Sequence, residues 1–181
     1  MARLFKNKYR IDTTRMQNWD YGWNSAYFVT MNILNRVHSF GKISNKEMIL
    51  SEIGEIAHKY WEEIPKHFPF VKLGAFVAMP DHVHGIIIID KPDGRKITTR
   101  NSQNIANELV VKKPKNQFGP QSQNLASIIR GYKIGVTKNA RKIDQNFKWQ
   151  RLYYSHVIME PVEYMRMEKY IIDNPKNWDK E

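Results

Sequence analysis

His82 and His84 are separated by one residue in the stretch AMPDHVHG, residues 78–85. In an extended segment the side chains at i and i+2 point the same way, so two imidazoles project side by side. Imidazole nitrogen binds several divalent first-row ions, and this spacing suits a single ion. The motif is short, and its setting adds weight. The pair leads into the apolar run HGIIIID, residues 84–90, where an unpartnered polar ring would be costly. It also follows Pro80-Asp81, a turn that puts it at the end of a sheet.

Tyr170 is the second candidate. Asn174 follows it at i+4, on the same face of a helix, with Glu163, Arg166 and Met167 also on that side. So polar a face suits a working phenol better than core packing, although a surface tyrosine bonded to a neighbour has the same spacing. With a pKa of about 10, only about one phenol in a thousand is ionised at neutral pH. It needs activation to become a nucleophile. Among the competing tyrosines, Tyr132 lies on the apolar side of its helix and reads as core. Tyr153 and Tyr154 are neighbours in a strand and face opposite sides, so one is core and Tyr154 can stack on a base. His156 either lines the site or packs.

These residues need elements to hold them. Residues 24–32 (NSAYFVTMN) alternate and are rich in β-formers, which predicts a strand. Ser44 to Glu47 fits a capping box, opening a helix in which Ile49, Ile53, Ile56, Ala57, Tyr60, Trp61 and Ile64 keep helical spacing until Pro65. Strands are predicted at 70–79 and 84–90, antiparallel to each other, and at 149–159. A second helix spans 122–142. Leu125, Ile128, Ile129, Tyr132 and Val136 form its apolar side, and Arg130, Lys133, Lys138 and Arg141 its basic side, with Ile134 as the exception. Those cations, with Arg151, make a candidate phosphate track, though a solvated helix face has the same pattern. Pro161 fits the first turn of a last helix, which is expected to run to about residue 173. The order β-α-β-β-α-β-α predicts an α+β, ferredoxin-like (RRM-like) four-stranded antiparallel sheet with helices on one face and an added C-terminal helix carrying the tyrosine.

Composition sets the outer bounds. The 181 residues point to a single domain, 1–181, with a basic N-terminal arm at 1–22. Residues 91–121 are polar, contain five prolines and glycines and a KKPK run, and read as a mobile insertion. The absence of cysteine excludes disulfides and thiolate metal sites. No apolar run is long enough to span a membrane and the N-terminus lacks a signal-peptide pattern, so a cytoplasmic, nucleoid-associated location and no membrane partner are expected. With 29 Lys+Arg against 18 Asp+Glu, a net charge of +11 favours a polyanionic partner.

Taken in order, AMPDHVHGIIII, WQRLYYSHVI and EYMRMEKYIIDNPKNW resemble the REP-associated tyrosine transposases, members of the single-tyrosine HUH transposases of bacterial insertion sequences. HUH denotes His, a bulky hydrophobic residue, His, and His82-Val83-His84 fits. The pattern continues with Trp149-Gln150, the pair Tyr153-Tyr154, His156, and Tyr170 four residues before Asn174-Pro175. The likeness spans residues 24–178 outside the 91–121 insertion, and its specificity lies in the ordered set. It implies metal-dependent cleavage and strand transfer of single-stranded or hairpin DNA through a 5′-phosphotyrosine. Tyr170 is then the nucleophile, and His82, His84 and Asn174 hold Mg²⁺ or Mn²⁺. The third ligand in related transposases is often Gln, and Asn is shorter. Arg166 is expected to line the site, and a homodimer is among the expected assemblies. Two rivals share most of these features. One is a nucleic-acid-binding module of the same fold without catalysis. The other is a metal-dependent phosphoesterase using water, which would call for more carboxylates than Asp81 alone.

Overall fold

The computed structural model describes residues 15–16, 18–92 and 123–178. Residues 1–14 and 17 of the 1–22 arm and residues 93–121 of the 91–121 insertion therefore lie outside the described residues. Strand β1 (Ser25–Asn32) is followed by a 3-10 turn (Leu34–Arg36), then a hairpin of β2 (Gly41–Ser44) and β3 (Glu47–Leu50). Helices α1 (Glu52–Glu62) and α2 (Ile64–His67) lead to β4 (Val71–Ala78) and β5 (His82–Ile89). After the insertion come α3 (Leu125–Ala140), β6 (Tyr154–Ile158) and α4 (Pro161–Asn177). The main sheet has the order β4-β5-β1-β6 and is antiparallel throughout, as a ferredoxin-like fold requires.

Two predicted boundaries are corrected. Ser44 to Glu47 is a hairpin turn, not a capping box: Asn45 and Lys46 have φ of 52° and 63°, the pair of positive values a type I′ turn needs. The helix starts at Glu52 instead, where the Ser51 hydroxyl accepts from Gly54 N–H. The last helix runs past Asn174-Pro175 to Asn177. Pro175 forfeits one backbone bond in the last turn, where Asn177 Nδ2 donates to the Asp173 carbonyl at 3.0 Å. Two smaller shifts also appear. The third predicted strand starts at His82, so both histidines lie inside it, and β6 is confined to Tyr154–Ile158, with Trp149 making an isolated bridge to Ile33.

Strand alternation splits the sheet into two faces. Tyr27, Val29, Met31, Val83, Ile87 and Ile89 point to α1 and α3 and form the main core with Trp61, Ile128, Ile129, Tyr132 and Val136. Gly85 belongs to that face, and a Cβ there would lie 2.4 Å from the Trp61 ring, so the indole packs flat against the strand that carries the histidines. On the other face Phe28, Ile86 and Ile158 meet Ile171 of α4. Gly74 lets α4 approach closely: its Cβ would lie 2.6 Å from the Tyr164 hydroxyl. No helix among the described residues is long and apolar enough to cross a membrane.

Candidate active site

Because Val83 and Gly85 face the main core, His82 and His84 face α4. They are 2% and 6% exposed. In register, His82 pairs with Asn32 and His84 with Thr30. Their Nε2 atoms lie 2.9 Å apart. Each Nδ1 has its own partner: Asp81 Oδ1 for His82 at 2.6 Å, and Thr30 Oγ1 for His84 at 2.8 Å. Asp81 is itself buried and its other oxygen meets Arg36 Nε at 2.6 Å. A carboxylate on Nδ1 selects the Nδ1–H tautomer and leaves an Nε2 lone pair, the usual support for a metal-binding imidazole. The Thr30 hydroxyl either accepts from His84 Nδ1–H, leaving a second Nε2 lone pair for a cation, or donates to Nδ1 while His84 Nε2–H donates to His82 Nε2. Burial, with His82 and then Arg36 adding to it, lowers the His84 pKa to about 3 and keeps the ring neutral, the form that ligates metal.

Helix α4 and its C-cap residue bring two aromatic rings to this pair. The Tyr170 ring lies 5.4 Å from His84, edge-on, and 6.0 Å from Phe28, which itself stacks on His84. Two turns on, Trp178 stacks on His82 with centroids 6.0 Å apart. Asn174 is midway between them in the sequence, at i+4 from each, so it shares the face that meets the histidines. It is 3% exposed, and its Oδ1 is one of four buried side-chain atoms among the described residues with no hydrogen-bond partner. A buried amide oxygen without a donor is costly. A cation supplies what it lacks. Two imidazole nitrogens and an amide oxygen therefore fit a divalent ion by donor type.

The tyrosines separate clearly. Tyr170 is 43% exposed at the histidine pair. Tyr132 is buried, donates to the Ala57 carbonyl, and burial drives its pKa far up. Tyr153 faces the α3 side, where burial also raises its pKa. Tyr154 is exposed on the α4 side, edge-on to Phe28 at 6.3 Å. His156 also faces α4, but its Nε2 pairs with Glu163 Oε1 at 2.7 Å, and Glu163 Oε2 accepts from Met159 N–H. It thus pins the first turn of α4. Arg166 is exposed one turn before Tyr170.

The predicted phosphate track is on the other face of the sheet from the histidines. Arg130, Lys133, Lys138, Arg141 and Arg151 line a groove of about 630 Å³ together with Tyr153. Lys133 is partly committed elsewhere: it donates to the Gln150 carbonyl at 3.0 Å, and burial lowers its pKa to about 8. The sequence reading missed Thr30, Arg36 and Trp178. Trp178 was within reach of it, being at i+4 from Asn174. The other two join the site through strand register and a turn, which carry no local signal.

No family model matches the chain. It is 37% identical over 169 residues to an uncharacterized protein of Haemophilus influenzae, covering 92% of this chain and 89% of that one. Among solved structures it is similar to a REP-associated tyrosine transposase bound to a REP hairpin, with a TM-score of 0.59 and 17% identity over 92% of this chain and 74% of the other. That likeness establishes the fold expected from the sequence.

Proposed function

The chain belongs to one family with the Haemophilus influenzae protein, and we propose that it is a transposase-type enzyme that cuts and rejoins single-stranded DNA through a covalent link to Tyr170. The observation that carries this reading is convergence on one side of the sheet. An exposed phenol lies edge-on to His84, both imidazoles have their Nδ1 atoms engaged, and a buried amide oxygen lacking a donor follows one turn along the helix that carries the phenol.

His82 Nε2, His84 Nε2 and Asn174 Oδ1 would hold the divalent cation, Mg²⁺ or Mn²⁺. When bound, it supplies Lewis-acid charge to a nonbridging oxygen of the scissile phosphate. Tyr170 Oη attacks phosphorus, its proton passing to solvent from the exposed ring; the bond to the 3′ oxygen breaks, and the departing oxygen takes up a proton from solvent. The products are a 5′-phosphotyrosine and a free 3′-OH. Attack by a 3′-OH on the same phosphorus reverses the step and restores the phenol, so rejoining needs no external energy source. Phe28 and Trp178 wall the imidazoles with apolar surface, which strengthens local electrostatics.

The solved relative holds a REP hairpin, and hairpin DNA is the substrate class proposed here. The basic groove on the far face suits a backbone running over α3, and Tyr154 offers a stacking surface on the near face. The test is incubation of the protein with Mn²⁺ and a labelled single-stranded hairpin, read as a covalent adduct on a denaturing gel. Wild type forms it, and Tyr170→Phe and His82→Ala do not, while Tyr170→Phe keeps its DNA affinity. DNA binding by wild type with no adduct under any metal would favour a binding module of the same fold. A free 5′-phosphate in place of the adduct would favour a hydrolase.

A further inference from the structure

The turn after β1 has an unusual backbone. Asn35 and Arg36 have φ of 58° and 56°, in the left-handed region that side chains other than glycine seldom occupy. The strain is not offset by burial, because none of the residues of the turn is buried. What the turn gains is the position of one side chain. Arg36 Nε meets Asp81 Oδ2 at 2.6 Å, and its Nη1 donates to Asn32 Oδ1 at 3.0 Å. Asn32 is the residue paired with His82 across the sheet, and its Nδ2 donates to Gln150 Oε1 at 3.1 Å. The Asp81 carboxylate is 4% exposed, whereas the Arg36 side chain is 52% exposed. A half-exposed guanidinium thus closes over a buried carboxylate whose other oxygen holds His82.

We propose that Arg36 is a positioning residue of the metal site, acting through Asp81 to fix the tautomer and rotation of His82. Without the guanidinium, the carboxylate has only His82 to hold its orientation and can turn away or take up water. His82 would then sample both tautomers, and half of the imidazole pair would lose its fixed lone pair. The strained turn is retained because it aims Nε at Oδ2 while Nη1 grips the neighbouring strand. The inference rests on the proposed metal reading, and its test has one arm that does not depend on it.

The metal-dependent arm is Mn²⁺ titration of the full chain, followed by calorimetry, for wild type, Arg36→Ala and Arg36→Lys. Outer-shell partners of a ligating histidine typically contribute about tenfold to a hundredfold in metal affinity, so Arg36→Ala should lose at least about tenfold. Arg36→Lys keeps a cation beside Asp81 and should recover part of the loss. The metal-free arm is imidazole ¹⁵N spectroscopy of the same proteins. Wild type should show His82 protonated at Nδ1, and Arg36→Ala a mixture of tautomers, with His156 as an internal reference whose spectrum does not change. Melting of each metal-free variant separates loss of positioning from loss of fold. If wild type binds no Mn²⁺, the metal reading fails while the spectra still test the positioning. An Arg36→Ala protein that is folded, keeps the Nδ1–H tautomer and binds Mn²⁺ within about twofold of wild type would overturn the proposal.

Discussion

On one face of the sheet Tyr27, Val29, Val83 and Ile87 meet α1 and α3 in an extensive apolar core. On the other, Phe28, Ile86, Ile158 and Ile171 make a small cluster beside buried His82, His84 and Asn174. The same two strands, β1 and β5, serve both. Burial on the α3 face is spent on apolar surface, the dominant favourable term in folding. On the α4 face it is spent on polar groups that stabilise little in the absence of a ligand. The stability of the domain thus resides on one side and its proposed chemistry on the other, and substitutions should sort accordingly.

The largest effect on stability belongs to the α3 face. Ile128→Ala, at a fully buried position, should cost about 2–5 kcal/mol in chemical denaturation, with adduct formation per folded molecule unchanged. Asn174→Leu should do the opposite. It removes an acceptor that has no donor, so the metal-free protein should hold its stability or gain up to about 1–3 kcal/mol. Stabilisation by Mn²⁺ should vanish. A loss of stability comparable to that of Ile128→Ala would mean that Asn174 is part of a structural network and that the comparison is wrong.

How much of this could be read from sequence differs between the faces in the same way. The α3 face follows from period: Leu125, Ile128, Ile129, Tyr132 and Val136 announce their helix, and alternation announces β1. The histidine pair was legible because two residues of a strand fix their own relative direction. Tyr170 and Asn174 were legible because they are one helical turn apart. Ser44 to Glu47 misled because it has the letters of a capping box, while Asn45-Lys46 has the positive φ values of a tight hairpin turn. The end of α4 was placed too early because Pro175 reads as a stop. The turn beyond it is held by tertiary contact, Trp178 on His82. Thr30 and Arg36 reach the site only through pairing between strands distant in sequence.

Smaller effects sharpen the picture. Lys138→Ala and Arg141→Ala line the far groove. Each should lower DNA affinity and reduce the slope of log K against log salt by about 1, leaving the yield of adduct at saturating DNA unchanged. The pH dependence from Glu163 should be smaller still. Burial works to raise its pKa, but the bonds from His156 and Met159 N–H outweigh it and hold the carboxyl below its ordinary value. A depressed pKa means that its contribution is complete above the ordinary carboxylate range and is lost as pH falls through the lowered value. Thermal melts should therefore show Glu163→Gln converging on wild type in acid and separating from it towards neutral pH.

The most direct measurement is mass spectrometry of the protease-digested covalent adduct formed with Mn²⁺ and hairpin DNA, locating the residue that bears the phosphate. The account predicts a phosphorylated Tyr170 on the peptide of α4. A nucleotide found instead on Tyr154, the other exposed tyrosine on that face among the described residues, would contradict it.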